Sequence, residues 1–194
     1  MMLFKRQAAQ KHRETARLFA STWTTRVFLL SAYLLTACAD PVLDQKLAAL
    51  GPESPEGPGP NHRPGQLCVV CHNPAGDAKP HFALAGTVYR DKGGKVPIGD
   101  VEVILTDARG SKFVGKSNCS GNFYFPIEST TPAFPVWVSM KKNDHQINME
   151  SAIFREPDCA LCHSEPAGPT SAGAVFLTDD PELASEFKPT PCAP

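Results

Sequence analysis

The stretch FALAGTVYRDKGGKVPIGDVEVILTDARGSKFVGKSNCSGNFYFPIESTTPAFPVWVSMK, residues 82–141, reads as a series of short strands. Phe82, Leu84, Gly86 and Val88 alternate along one face of 82–90, and Val101, Val103 and Leu105 do the same along 101–107. Further strands are expected at 112–117, 122–125 and 135–141. Turn chemistry separates them: Asp91-Lys92-Gly93-Gly94, Ala108-Arg109-Gly110 and Cys119-Ser120-Gly121. Side chains that alternate with period two, in strands broken by Gly-rich turns, predict an all-β antiparallel sandwich. The 19 Pro and 14 Gly of the 194 residues agree with turns and strands rather than long helices.

One pentapeptide pattern flanks this stretch on both sides. Cys68-Val69-Val70-Cys71-His72 precedes it, and Cys159-Ala160-Leu161-Cys162-His163 follows it. C-x-x-C-H is the attachment signature of c-type haem. Two thiols three positions apart can add across the two vinyl groups of one porphyrin, and the adjacent His can reach the iron. Two haems c are therefore expected, held by Cys68, Cys71, Cys159 and Cys162 with His72 and His163 as proximal ligands. A zinc site would use the same residue types, but the motifs stand far apart and form no compact knuckle. A redox Cys pair would call for a thioredoxin-like βαβ setting, which is not visible. Plain local disulfides would not need the His twice.

Residues 86–125 resemble the carboxypeptidase-regulatory-like, or transthyretin-like, β-sandwich. The shared features are the Gly-x-Val strand, Pro97-Ile98-Gly99 before the second strand, the Asp107-x-x-Gly110 hairpin, and Ser117-Asn118-x-x-Gly121-x-Phe123 leading into the next strand. The resemblance implies an Ig-like fold of structural or binding character, without catalysis. HRPGQLCVVCH, 62–72, also resembles small haem-binding bacterial lipoproteins that join such motifs to a β-sandwich.

Distal ligands are usually His or Met, and Met raises the potential. Beyond residue 37 the spare candidates are His62, His81, His145, Met140 and Met149. For the first haem His81 is preferred, in the loop leading into the first strand, with His62 as its rival. For the second, Met149 is preferred over His145. Both precede Cys159, and with Ile147 they share one face of an extended segment. Met149 also resembles the Met that precedes the second motif in those lipoproteins. Met140 continues the Val136–Val138 face of its strand and is expected in the core. Cys119 and Cys192 remain, and two leftover thiols in an oxidising compartment suggest a disulfide.

The N-terminus is basic, then apolar from Val27 to Ala37, the length of a signal-peptide core and too short to span a bilayer. Leu35-Thr36-Ala37-Cys38 resembles the lipobox of bacterial lipoproteins. That resemblance implies removal of residues 1–37, a lipid on Cys38 and, with Ala39 next, an outer-membrane location on the periplasmic or surface face. The expected organisation is a lipoprotein signal peptide (1–37), a Pro/Gly-rich tether (38–66) carrying a short helix at 42–50, a first haem segment (67–81), the sandwich (82–150), a second haem segment (151–180) and a tail (181–194).

Residues 38–194 hold 13 basic and 19 acidic side chains, a net charge of −6. Such a surface repels phosphate backbones, so nucleic acid is not expected as a partner. Export, a membrane anchor and two haems together imply electron transfer outside the cytoplasm, with other cytochromes or redox enzymes as partners. Two alternatives remain at this level. One is a haem enzyme reducing peroxide or another small oxidant. The other is a binding module with structural or sensory haems, for which an exposed platform of Tyr89, Tyr124 and Trp137 would speak. Strand aromatics are more often core.

Overall fold

The computed structural model describes residues 40–51, 53, 57–76 and 78–192. The apolar run at 27–37 and Cys38 lie outside the described residues. The chain forms two compact units, 1–44 and 45–194. Helix α1 (Pro41–Ala49) begins in the first and buries none of its residues. Asp40 caps it, accepting the N–H groups of Val42 and Leu43 at 3.0 and 3.1 Å. Among the described residues no helix is long and apolar enough to cross a membrane.

The second unit is an all-β sandwich of two sheets. Its strands are β1 (Phe82–Asp91), β2 (Glu102–Thr106), β3 (Lys112–Lys116), β4 (Asn122–Pro126), β5 (Trp137–Lys142), β6 (His145–Asn148) and β7 (Val175–Thr178). One sheet has the order β4-β1-β7 and the other β3-β2-β5-β6. Helix α2 (Pro181–Glu186) follows β7, capped by Asp180 through the N–H groups of Glu182 and Leu183. Leu84, Val88, Val101, Val103, Leu105, Phe123, Phe125, Val136, Met140, Leu177 and Phe187 form the core between the sheets. Each large apolar side chain removed from water there contributes roughly 1.5–3 kcal/mol.

Local chemistry sets the turns. The buried Asp107 carboxylate accepts the N–H groups of Arg109 (2.9 Å), Ser111 (2.8 Å) and Ala133 (3.1 Å), which closes the β2–β3 hairpin and ties it to the chain before β5. Between β3 and β4, Asn118 Oδ1 accepts from Ser120 and Asn122, both at 3.0 Å. Gly121 completes that turn at φ +73°, where a Cβ would lie 2.3 Å from the Val88 carbonyl oxygen. Cys119, on this turn, is joined to Cys192 by a disulfide, which fastens the C-terminal residues to the sandwich.

Three features differ from the sequence expectation. The sandwich is not wholly antiparallel: β7 runs parallel to β1, pairing Val88 with Val175 and Tyr89 with Phe176. The chain leaves one sheet after β6, crosses over residues 149–174 and returns along the free edge of β1 in the same direction. The sandwich therefore extends beyond 82–150, and β7 lies within the span expected to serve haem attachment alone. Second, β1 is buried on both faces, because residues 60–66 are strapped over it. Gly65 N–H donates to Thr87 Oγ1 (2.7 Å), Thr87 to Asn122 Oδ1 (2.8 Å), and Asn122 Nδ2 to the His62 carbonyl (2.9 Å). This end of the expected tether is part of the folded unit. Third, Tyr124 and Trp137 are 39% and 43% exposed, not core. They stand on different sheets, so they do not make one platform.

Candidate functional site: two C-x-x-C-H turns at one edge of the sandwich

Each motif winds into one helical turn. His72 N–H donates to the Cys68 carbonyl at 3.1 Å, and His163 N–H to the Cys159 carbonyl at 2.8 Å. Residues three and four apart come close on such a turn, and in the second motif Cys159, Cys162 and His163 line one cavity. The four motif thiols are free.

The loop after each motif then returns to its His. His72 Nδ1 lies 2.8 Å from the Pro80 carbonyl oxygen, and the His72 carbonyl accepts Phe82 N–H at 2.8 Å. His163 Nδ1 lies 3.1 Å from the Gly173 carbonyl oxygen, and the Cys162 carbonyl accepts Ala172 N–H at 2.9 Å. A carbonyl only accepts, so Nδ1 carries the proton in both rings and Nε2 presents its lone pair. That tautomer, pinned by a backbone carbonyl, is the one an imidazole needs to ligate a metal through Nε2. His72 also stacks on Phe82, ring centroids 4.2 Å apart, and burial pushes its pKa below the ordinary imidazole value, which favours the neutral ring.

The second motif faces a cavity of about 920 Å³ where β5 and β6 of one sheet meet β7 of the other. Cys159, Cys162 and His163 line one part, Met149, Met140, Ile147, Val138 and Phe123 are among its apolar walls, and Glu150, Arg155 and Glu156 add charge to the lining. The volume is at the upper end of small-molecule and cofactor pockets, and its walls are mostly apolar, as such pockets are. Met149 thus shares a cavity with His163. Met140 is buried in the core and reaches the same space. His145 is engaged elsewhere: its Nε2 lies 2.7 Å from the Leu177 carbonyl oxygen and its ring packs near Phe187. Around the first motif, His81 is buried and its Nε2 accepts from Lys79 Nζ at 2.9 Å. The His62 ring lies 5.9 Å from the His72 ring, with its Nδ1 turned to the Gly59 carbonyl.

The residue that sequence reading passed over is Asp158. It is 4% exposed, and its two oxygens serve both motifs. Oδ1 accepts Ala160 N–H at 3.3 Å, capping the second turn. Oδ2 accepts Val69 N–H at 2.8 Å, inside the first motif. Its backbone pairs with Ala85 of β1, whose N–H donates to the Pro157 carbonyl at 3.0 Å. An acid immediately before a C-x-x-C turn is a readable N-cap signal, but its second partner lies far away in sequence. Burial pushes the Asp158 pKa up to about 6, against the two N–H bonds that lower it.

The thiols carry a chemical message of their own. Burial pushes Cys68 up to about 12, with the Asp158 charge adding to it, and the same two causes raise Cys159. Thiol–disulfide exchange needs a thiolate near neutral pH, and these two environments act in the opposite direction. Among the described residues no three His, Cys, Asp or Glu side chains gather in a geometry able to hold a metal ion. A haem does not require such a cluster, since the porphyrin supplies four of the iron's ligands and the protein at most one on each side.

No protein family, curated protein or solved structure matches this chain.

Proposed function

We propose that this chain is a lipid-anchored dihaem c-type cytochrome that passes electrons outside the cytoplasm. The observation that carries the reading is the repeated construction of the two motifs. In each, the two thiols and the imidazole sit on one hydrogen-bonded turn, and a backbone carbonyl fixes the Nδ1–H tautomer. The cavity beside the second motif supports it further. The sandwich between them is read as the transthyretin-like, carboxypeptidase-regulatory-like type, with the haem segments at its edge. The N-terminal run and Cys38 supply the export signal and the lipid, toward the outer membrane.

A haem iron supplies a one-electron couple between ferrous and ferric states. The chain's residues do the rest. Cys68, Cys71, Cys159 and Cys162 would hold the two haems by thioether bonds, and His72 and His163 would ligate iron through Nε2. Pro80 and Gly173 fix the orientation of those rings and raise their basicity. Met149 is the distal candidate that shares the second site. For the first, His81 would have to give up its Lys79 contact, whereas His62 already lies beside His72. The apolar part of the second cavity, with Met149 beside His163, suits a ligated haem in a relay.

The deciding experiment is a pyridine haemochrome assay with intact mass, on protein made in a host that matures c-type haem. Two covalent haems per chain are expected, low-spin and unreactive toward carbon monoxide. Zero or one haem sinks the dihaem reading, and a high-spin, peroxide-reactive haem turns it into the enzyme alternative.

A further inference from the structure

The side chain that the two motifs share does more than cap one turn. An N-cap needs one acceptor, and Ser, Thr or Asn would cap the Cys159 turn without burying a carboxylate. Asp158 instead uses its second oxygen on Val69, between the two cysteines of the other motif, 2.8 Å away. Its backbone is pinned to β1 at Ala85, and the next residue, Cys159, packs against Gly86, where even a methyl group would collide with it. The second turn is therefore fixed to the sheet, and the first turn is fixed to the second through one buried carboxylate. Nothing in a mere cap calls for that arrangement.

We propose that Asp158 is a positioning residue that locks the two haem-attachment turns in one juxtaposition, so that the two haems of the mature protein form a single coupled pair. The inference rests on the dihaem reading above. Its physical basis is rigidity. Electronic coupling and charge–charge interaction between two irons depend on their separation and orientation, and both are inherited from the attachment turns. A carboxylate that hydrogen-bonds both turns removes the freedom that two independent loops would have.

Asparagine breaks the lock at one point. Asp158→Asn has one acceptor oxygen where the carboxylate has two, so Val69 and Ala160 can no longer both be held, whichever way the amide turns. The holoprotein is measured by Soret circular dichroism, with haem content from pyridine haemochrome and intact mass. The wild type is expected to show a bisignate couplet from the paired haems. Asp158→Asn should keep two haems and lose at least half of the couplet amplitude. Asp107→Asn, which breaks a buried carboxylate network at the β2–β3 turn, should leave the couplet unchanged. A couplet in Asp158→Asn equal to the wild type overturns the proposal. So does a single-signed Soret band in wild type carrying two haems, which decides the matter even if the variant does not fold. Absence of covalent haem from the wild type overturns the proposed function itself, and the coupled pair with it.

Discussion

Replacing Gly86 by Ala tests how the second motif is seated. An ideal Cβ at Gly86 lies 2.7 Å from Cys159 Cβ, 2.8 Å from Cys159 Sγ and 2.9 Å from Phe123 Cζ. Carbon contacts are most favourable at about 3.5–4.0 Å, so three contacts are too short by well over half an ångström. Gly→Ala at a compatible strand position would stabilise by about 0.5–1 kcal/mol through the unfolded chain. Overpacking a filled site costs about 1–3 kcal/mol, and Phe123, in the core, has little room to yield. The net expectation is destabilisation of about 1–2 kcal/mol, a fall in Tm of roughly 2–8 °C for a unit of this size. If Cys159 carries the proposed haem thioether, that bond would keep the side chain from rotating away, and the second haem would be lost from part of the population. Thermal unfolding by far-ultraviolet circular dichroism and haem content by intact mass report the two effects. Gly168→Ala is the control, since nothing lies within 4 Å of its Cβ and its φ is not positive. If Gly86→Ala unfolds at or above the wild-type temperature with both haems attached, Cys159 is not packed on β1 as described.

If the second motif carries the proposed haem, Met149→Ala should convert it from low to high spin and lower its potential, because the thioether sharing its cavity is gone. Met140→Ala should instead cost stability, about 2–5 kcal/mol, with the spectrum retained. An unchanged optical spectrum in Met149→Ala rejects that ligand. Cys192→Ser opens a disulfide that closes a loop of sequence separation 73, and loop entropy predicts a loss of about 4 kcal/mol, read by urea unfolding under non-reducing conditions. The folded-state pKa of Asp158 is raised from 3.8 to about 6 by burial, so its contribution is greatest below pH 3.8 and is lost as pH rises through 6. Stability should fall over that window by on the order of 2–3 kcal/mol relative to Asp158→Asn. A wild-type profile parallel to that of Asp158→Asn would contradict it.

Much of the fold was legible because its signals are local. The strands expected at 82–90, 101–107, 112–117, 122–125 and 135–141 correspond to β1–β5, since alternation and turn chemistry act over a few residues. The C-x-x-C-H spacing likewise implies a turn. β6, HQIN, is too short and polar to stand out, and β7, VFLT, is made of strand formers but is only four residues long, with nothing local to say that it pairs with β1.

The chain's own order of residues thus determined the strand series and the two pentapeptide turns. Tertiary structure alone decided the parallel return of β7, the cavity that Met149 shares with His163, the diversion of His145 to the Leu177 carbonyl, and the carboxylate that joins the two motifs. The physical reason is the same in each case. These features are contacts between segments distant in the chain, and such contacts are set by sheet register and core packing, for which no single stretch of sequence carries a local signal.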